Sequence, residues 1–166
     1  MNKALLIEKL EAELRRELET LSAAARTAHE AATHAESRAE DRHDTRGLEA
    51  SYLAGAQAAR AAEIERQIQI LQQLPRGATP PGSKISSGTL VELESGGIQS
   101  FCLLSPTGGG LSFTLEGVRV QVITPQSPLG EALLGSSPGE TIELEAPAAG
   151  ANPRSASRTF KIVSIA

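Results

Sequence analysis

Ile7, Leu14, Leu21, Ala28 and Ala35 recur at every seventh position of a stretch, residues 2 to 39, that contains neither proline nor glycine. A repeat of this kind lays one narrow apolar stripe along a helix. Leu10, Ala24 and Ala31 take the companion positions, and Leu18 widens the stripe. The opposite face carries Glu11, Arg15, Glu19 and Arg26, with Glu11 and Arg15 at the four-residue spacing that lends a helix modest support. After a polar, charge-dense interval containing Gly47, a second helical segment is expected over residues 48 to 74, with Leu53, Ile64, Ile68, Leu71 and Leu74 on one side. Two helices of similar length joined by a short polar turn usually pair within the chain, so the expectation is an antiparallel hairpin. The same stripe would also suit a parallel homodimer or a simple spacer.

The stripe changes along its length. Ile7, Leu10, Leu14 and Leu21 face Ile64, Ile68 and Leu71 at one end, whereas alanines 24, 28, 31 and 35 face Ala54, Gly55 and Ala58 toward the turn. Small side chains let backbones approach, so the distal part is expected to be the slimmer. At about 1.5 Å per residue, each arm would reach roughly 45 Å. Such an object could deliver side chains from its turn into a narrow channel.

The turn region, residues 36 to 49, holds five acids and three arginines. Carboxylates and water are the ligands Mg²⁺ favours, commonly shared with a substrate phosphate. Asp41 and Asp44 are three apart and Glu49 lies just past the bend, so two or three of these could serve one ion. They could equally balance Arg38, Arg42 and Arg46 or cap the second helix. His29 and His34 are five apart, not the four that aligns zinc ligands on a helix, and His43 has no histidine or cysteine near it.

At residues 74 to 82 the composition breaks. Pro75, Pro80 and Pro81, with Gly77 and Gly82 among them, make a stretch that cannot continue a helix, because its prolines lack the amide donor and clash with the preceding turn. The expected organisation is a helical hairpin over 1–75, a linker over 76–88 and a β-rich domain over 89–166. In the last, strands are expected over 89 to 94, 98 to 104, 111 to 115, 118 to 123, 141 to 145 and 158 to 165. Gly96-Gly97, Gly108-Gly109-Gly110 and Glu116-Gly117 would supply hairpin connections. Ser127 to Gly135 reads as one short helix, capped by Ser127, with Pro128 in its first turn and Gly135 at its end. Every histidine lies in the first half, so no Ser-His-Asp or Cys-His set accompanies this domain.

The net charge of −4 disfavours direct binding of nucleic acid, which calls for a concentrated basic surface. The single cysteine, Cys102, sits in an apolar run and reads as a small buried hydrophobe. No apolar run approaches the roughly 20 residues needed to span a bilayer, and acidic residues follow the N-terminus too soon for a signal peptide. A cytoplasmic location is expected.

The run Ser127-Pro128-Leu129-Gly130-Glu131-Ala132-Leu133-Leu134-Gly135, followed by Gly139-Glu140 before a strand, resembles the C-terminal signature of the Gre transcript-cleavage factors of RNA polymerase. There a Ser-Pro-(Leu/Ile)-Gly-x-Ala-(Leu/Ile)-(Leu/Ile)-Gly helix precedes Gly-(Asp/Glu). The preceding hairpin and a final strand with Ile162 and Ile165 extend the resemblance over nearly the whole chain. It implies an α+β protein, a helical hairpin followed by a small FKBP-like antiparallel sheet domain with one short helix and no isomerase activity. It also implies a partner, RNA polymerase. The second domain would dock at the rim of the secondary channel, with Ser127, Pro128, Leu129 and Gly130 at the contact, and the hairpin would enter. Tip acids would share Mg²⁺ with the polymerase active site, so that the factor assists cleavage of backtracked RNA without being an enzyme or holding a cofactor of its own. Nucleic acid would be met only through the transcription complex, by a monomer.

The family's tip reads approximately Asp-Leu-x-Glu-Asn-Ala-Glu-Tyr. Aligned on Tyr52, the stretch here has Leu48 where the first glutamate stands and Thr45 where the aspartate stands. Asp44 and Glu49 are the substitutes the resemblance offers for the catalytic acids, with Asp41 and Asp44 toward the metal and Glu40 behind. A factor that occupies the channel without promoting cleavage, and so inhibits or retunes transcription, is the alternative.

Overall fold

The computed structural model describes residues 2–33, 46–80, 82–144 and 158–166. They form two compact units, one of Lys9–Gln72 and the other of Met1–Glu8 with Gln73–Ala166.

The first unit is built from helix α1 (Lys3–Thr33), from Lys9 onward, and helix α2 (Arg46–Gln72). They run antiparallel. Arg60 on α2 pairs with Glu17 on α1 at 2.9 Å, and nearer the start of α2 a shallow groove is lined by Ala25 and His29 from one helix and Ser51, Ala54 and Ala58 from the other. The seam on α1 buries Leu10, Leu14 and Ala28, as the seven-residue repeat predicts. Three positions depart from the expected pattern. Ala25 rather than Ala24 is half-buried, because the spacing from Leu18 runs three, four, three through Leu21 and Ala25 to Ala28. Glu11, expected on the polar face, is buried, and Arg15 holds its carboxylate at 2.9 Å. On α2 the seam steps back from Leu71 through Ile68, Ile64, Ala61 and Gln57 to Ala54, so Leu53 falls off it and is exposed.

The second unit carries a six-stranded sheet in the order β3-β4-β2-β1-β6-β5. The strands are β1 (Leu90–Ser95), β2 (Ile98–Leu104), β3 (Ser112–Leu115), β4 (Val118–Ile123), β5 (Thr141–Leu144) and β6 (Arg158–Ile165). Helix α3 (Pro128–Leu133) lies between β4 and β5 in the chain. The fold class is the expected one, and the sheet is mixed. Four of its pairings are antiparallel, while β2 and β4 run parallel, Phe101 opposite Val120 through Leu104 opposite Ile123.

The parallel pair explains why the triple glycine makes no hairpin. Residues 105 to 111 carry the chain past the C-terminal end of β4, bonded to it by Ser105 N–H to Ile123 O at 2.9 Å and Gly110 N–H to Val122 O at 3.0 Å, and β3 then pairs on the far side. The Gly96-Gly97 loop does join β1 to β2 as a two-residue hairpin. Its φ values of +57° and +80° are those the tightest hairpin turns require.

One face of the sheet forms the core with α3. Val91, Leu93, Cys102, Leu104, Ile123, Leu133, Ile142 and Ile162 pack together, and Leu129, Ala132, Phe160 and Ile165 close its margin. Ile85, which lies in the expected linker, is part of this core. Its amide donates to Ser136 O at 2.9 Å and its carbonyl accepts from Gly135 N–H at 2.8 Å, so the segment before β1 is fastened to the end of α3.

Burial pushes the Cys102 thiol up to about 12, from an ordinary 9.0. At pH 8 the native thiol is therefore protonated and enclosed, and it should react with a thiol reagent at least about 1000-fold slower than in the urea-unfolded chain, matching typical opening equilibria. The unfolded chain deprotonates first as pH rises. The contribution to stability is therefore complete below pH 9 and declines as pH climbs toward 12, which a pH series of the same labelling experiment reads directly. No helix among the described residues is long and apolar enough to cross a membrane.

Candidate functional site

Two places bear the expected site residues. The first is the start of α2. Glu49 lies in its first turn, where a carboxylate meets the positive end of the helix dipole. Around it Leu48 is 56% exposed, Tyr52 72% and Leu53 53%. These three are off the apolar seam, so the helix displays an aromatic and two aliphatic side chains beside an acid. The sequence misled at Leu53 because a leucine near a helical repeat reads as seam; counting the repeat backward from Leu71 recovers its true position. Asp41 and Asp44, with Glu40, lie outside the described residues. Among the described residues no group of three or more His, Cys, Asp or Glu could hold a metal ion.

The second place is the α3 cap. Ser127 has the extended backbone of an N-cap, and its hydroxyl accepts from Gly130 N–H at 3.1 Å while donating to Thr124 O at 2.7 Å. Pro128 sits at the first helical positions, where its missing N–H costs nothing. Gly130 is buried, and a β-carbon built on it would lie 1.9 Å from Thr124 O. Two of the four signature residues are thus dictated by local packing. Ser127 closes the cap, and Gly130 lets the helix lie against the end of β4. Leu129 packs on the core margin and, with Pro128, also lines one wall of an open groove of about 590 Å³. Val122, Ile123, Thr124, Gly109, Gly110 and Leu144 are among the other residues that line it. The structure therefore brings Ser127, Pro128, Leu129 and Gly130 together, with Pro128 and Leu129 the pair whose apolar surface borders open space.

No protein-family model matches the chain, and no curated protein matches it in sequence. Among solved structures, GreA factor homolog 1 (Gfh1) of Thermus thermophilus aligns at 29% identity over 96% of this chain and 94% of its own, with a TM-score of 0.35. Gfh1 of Thermus aquaticus aligns at 26% identity over 95% of this chain and 92% of its own, with a TM-score of 0.37. The chain is similar to Gre-type factors. The transcription elongation factor GreA/GreB from Nitrosomonas europaea aligns at 17% identity over 71% of this chain and 91% of its own, with a TM-score of 0.36. The order of parts in the chain, a helical pair and then a sheet with one capped helix, is the order the signature implied.

Proposed function

We propose that this chain is a Gre-like transcription factor that acts on RNA polymerase, with its sheet unit at the rim of the secondary channel and its helical pair inside. The reading is carried by one observation. At the start of α2, Leu48, Glu49, Tyr52 and Leu53 turn away from the α1/α2 seam and offer a mixed acidic and apolar surface to a partner. A spacer helix gains nothing from three exposed large apolar side chains in six residues, whereas a surface that docks in a protein channel does. The groove bordered by Pro128 and Leu129 is the corresponding contact proposed for the sheet unit.

Within this reading Glu49 and Asp44 would approach the polymerase Mg²⁺, with Asp41 beside them, and support attack of water on backtracked RNA. A second reading is favoured by Leu48, an exposed aliphatic residue at the position the family fills with glutamate. With one acid fewer, the factor would fill the channel and slow synthesis without promoting hydrolysis.

Addition of the purified protein to stalled, backtracked complexes separates the two. Short RNA 3′ fragments that disappear with Asp44→Ala or Glu49→Ala indicate assisted cleavage. Slowed elongation without fragments, relieved by an authentic Gre factor in excess, indicates occupancy. If the protein neither alters elongation nor competes with that factor, the polymerase reading is wrong.

A further inference from the structure

Lys3 is only 5% exposed, yet the described residues offer it no carboxylate. Its ammonium donates to a single hydroxyl, Thr79 Oγ1, at 3.3 Å. Withdrawing an ammonium from water costs several kcal/mol unless an opposite charge offsets it, and one long hydrogen bond to a neutral hydroxyl does not. Position adds to the cost. Lys3 opens α1, where the helix dipole is positive, and no acid stands in that first turn.

The side chain lines a cleft of about 150 Å³ whose other walls come from Pro75, residues 77 to 80, Ser83, Lys84 and residues 86 to 89 of the same unit. They include Lys84 and the hydroxyls of Thr79, Ser83, Ser86, Ser87 and Thr89, and no acidic residue. Thr89 Oγ1 is committed to Ser86 N–H at 3.1 Å. The Ser83, Ser86 and Ser87 hydroxyls make no hydrogen bond among the described residues and remain available to a guest. At about 30 Å³ of liquid volume per water, the space equals roughly five waters, enough for one tetrahedral oxyanion.

We propose that this cleft binds a terminal phosphate group, as free inorganic phosphate or as the monoester of a small molecule, with Lys3 and Lys84 supplying the charge and Thr79, Ser83, Ser86 and Ser87 the hydroxyl donors. Burial already holds the Lys3 pKa below its ordinary value, and a bound anion would offset the desolvation responsible. The site is independent of the polymerase reading, since none of its residues lies at the start of α2 or on α3.

The test is a titration of the isotope-labelled full chain, followed by proton–nitrogen NMR, with sodium phosphate, methyl phosphate and dimethyl phosphate against sodium chloride at matched ionic strength. Saturable shifts at the amides of Lys3, Thr79, Ser86, Ser87 and Gly88 are expected with the first two, and at least tenfold weaker binding with the diester. Tighter binding of phosphate than of methyl phosphate would identify the free ion as the ligand, and the reverse order an ester; either supports the site. Lys3→Met, which keeps the buried stem, should weaken binding at least tenfold, and the exposed Lys84→Ala should weaken it about threefold without altering the native spectrum elsewhere. Shifts that do not saturate, that chloride reproduces, or that survive both substitutions unchanged would overturn the proposal.

Discussion

Replacing Gly130 with alanine should destabilise the sheet unit by about 3 kcal/mol, at the upper end of what forcing an extra carbon into a packed site costs. The added methyl would lie 1.9 Å from Thr124 O, a separation no carbon and oxygen can hold. Relief requires α3 to move off the end of β4, and that carbonyl is the anchor of the turn, accepting from Ser127 N–H at 3.0 Å and from the Ser127 hydroxyl at 2.7 Å. Each bond lost costs about 1 kcal/mol, and Leu133, fully buried against the sheet, is drawn out with the helix. Cys102 is a natural reporter because it lies in the same core as Leu133, whereas the single tyrosine, Tyr52, lies on α2 and reads the other unit. With tenfold for every 1.4 kcal/mol, thiol labelling of Gly130→Ala under native conditions should run about a hundredfold faster than in the parent. Leu134→Ala, at a half-exposed position beside it, should change the rate by less than about threefold. Equal rates in the parent and Gly130→Ala would mean that α3 tolerates the methyl and that the signature glycine is kept for contact with a partner rather than for packing.

How far the sequence discloses this molecule depends on the reach of the interactions that decide each feature. The bounds of β2, β4 and β6 follow from runs of apolar and β-branched residues closed by glycine or by polar turns, and these agree with the observed strands to the residue. Helix α3 is equally local, since Ser127 and Pro128 carry its start in their own chemistry. The parallel pairing of β2 with β4 is not local. It follows from which edge of β2 the chain returns to, and glycines 108 to 110 look the same in a hairpin as in the crossover they form. The α2 seam was half legible, because Ile64, Ile68 and Leu71 declare it while Gln57 and the alanines do not. The seam's continuation decides that Leu53 is displayed rather than buried, which is what matters for the candidate site. The cleft at Lys3 was illegible for a stronger reason: it unites the first turn of α1 with residues more than 70 positions away, and no motif joins them. Asp41 and Asp44 rest on the sequence alone, lying outside the described residues.

Ile85→Ala should cost about 3 kcal/mol, within the range for truncating a buried aliphatic side chain and leaving its cavity, although proline and glycine density marks its surroundings as a linker. Ile85 is 1% exposed in the midst of Val91, Leu93, Cys102, Leu133 and Ile162. Its backbone is tied on both sides to the turn after α3, by its own amide to Ser136 and by Gly135 to its carbonyl. The side chain therefore wedges between the sheet and the end of α3, and its loss should loosen the same core that Gly130→Ala disturbs from the other end of that helix. Labelling of Cys102 should accelerate about a hundredfold, as for Gly130→Ala. The two changes meet through α3, so the double variant should fall short of the sum, with a coupling of about 0.5 kcal/mol or more. Lys84→Ala, one residue away and exposed, should leave the rate within about threefold of the parent. That contrast separates a docked segment from a tether: a free linker would make Ile85→Ala as silent as Lys84→Ala, and such a result would detach residues 83 to 89 from the core and remove the wall on which the cleft around Lys3 depends.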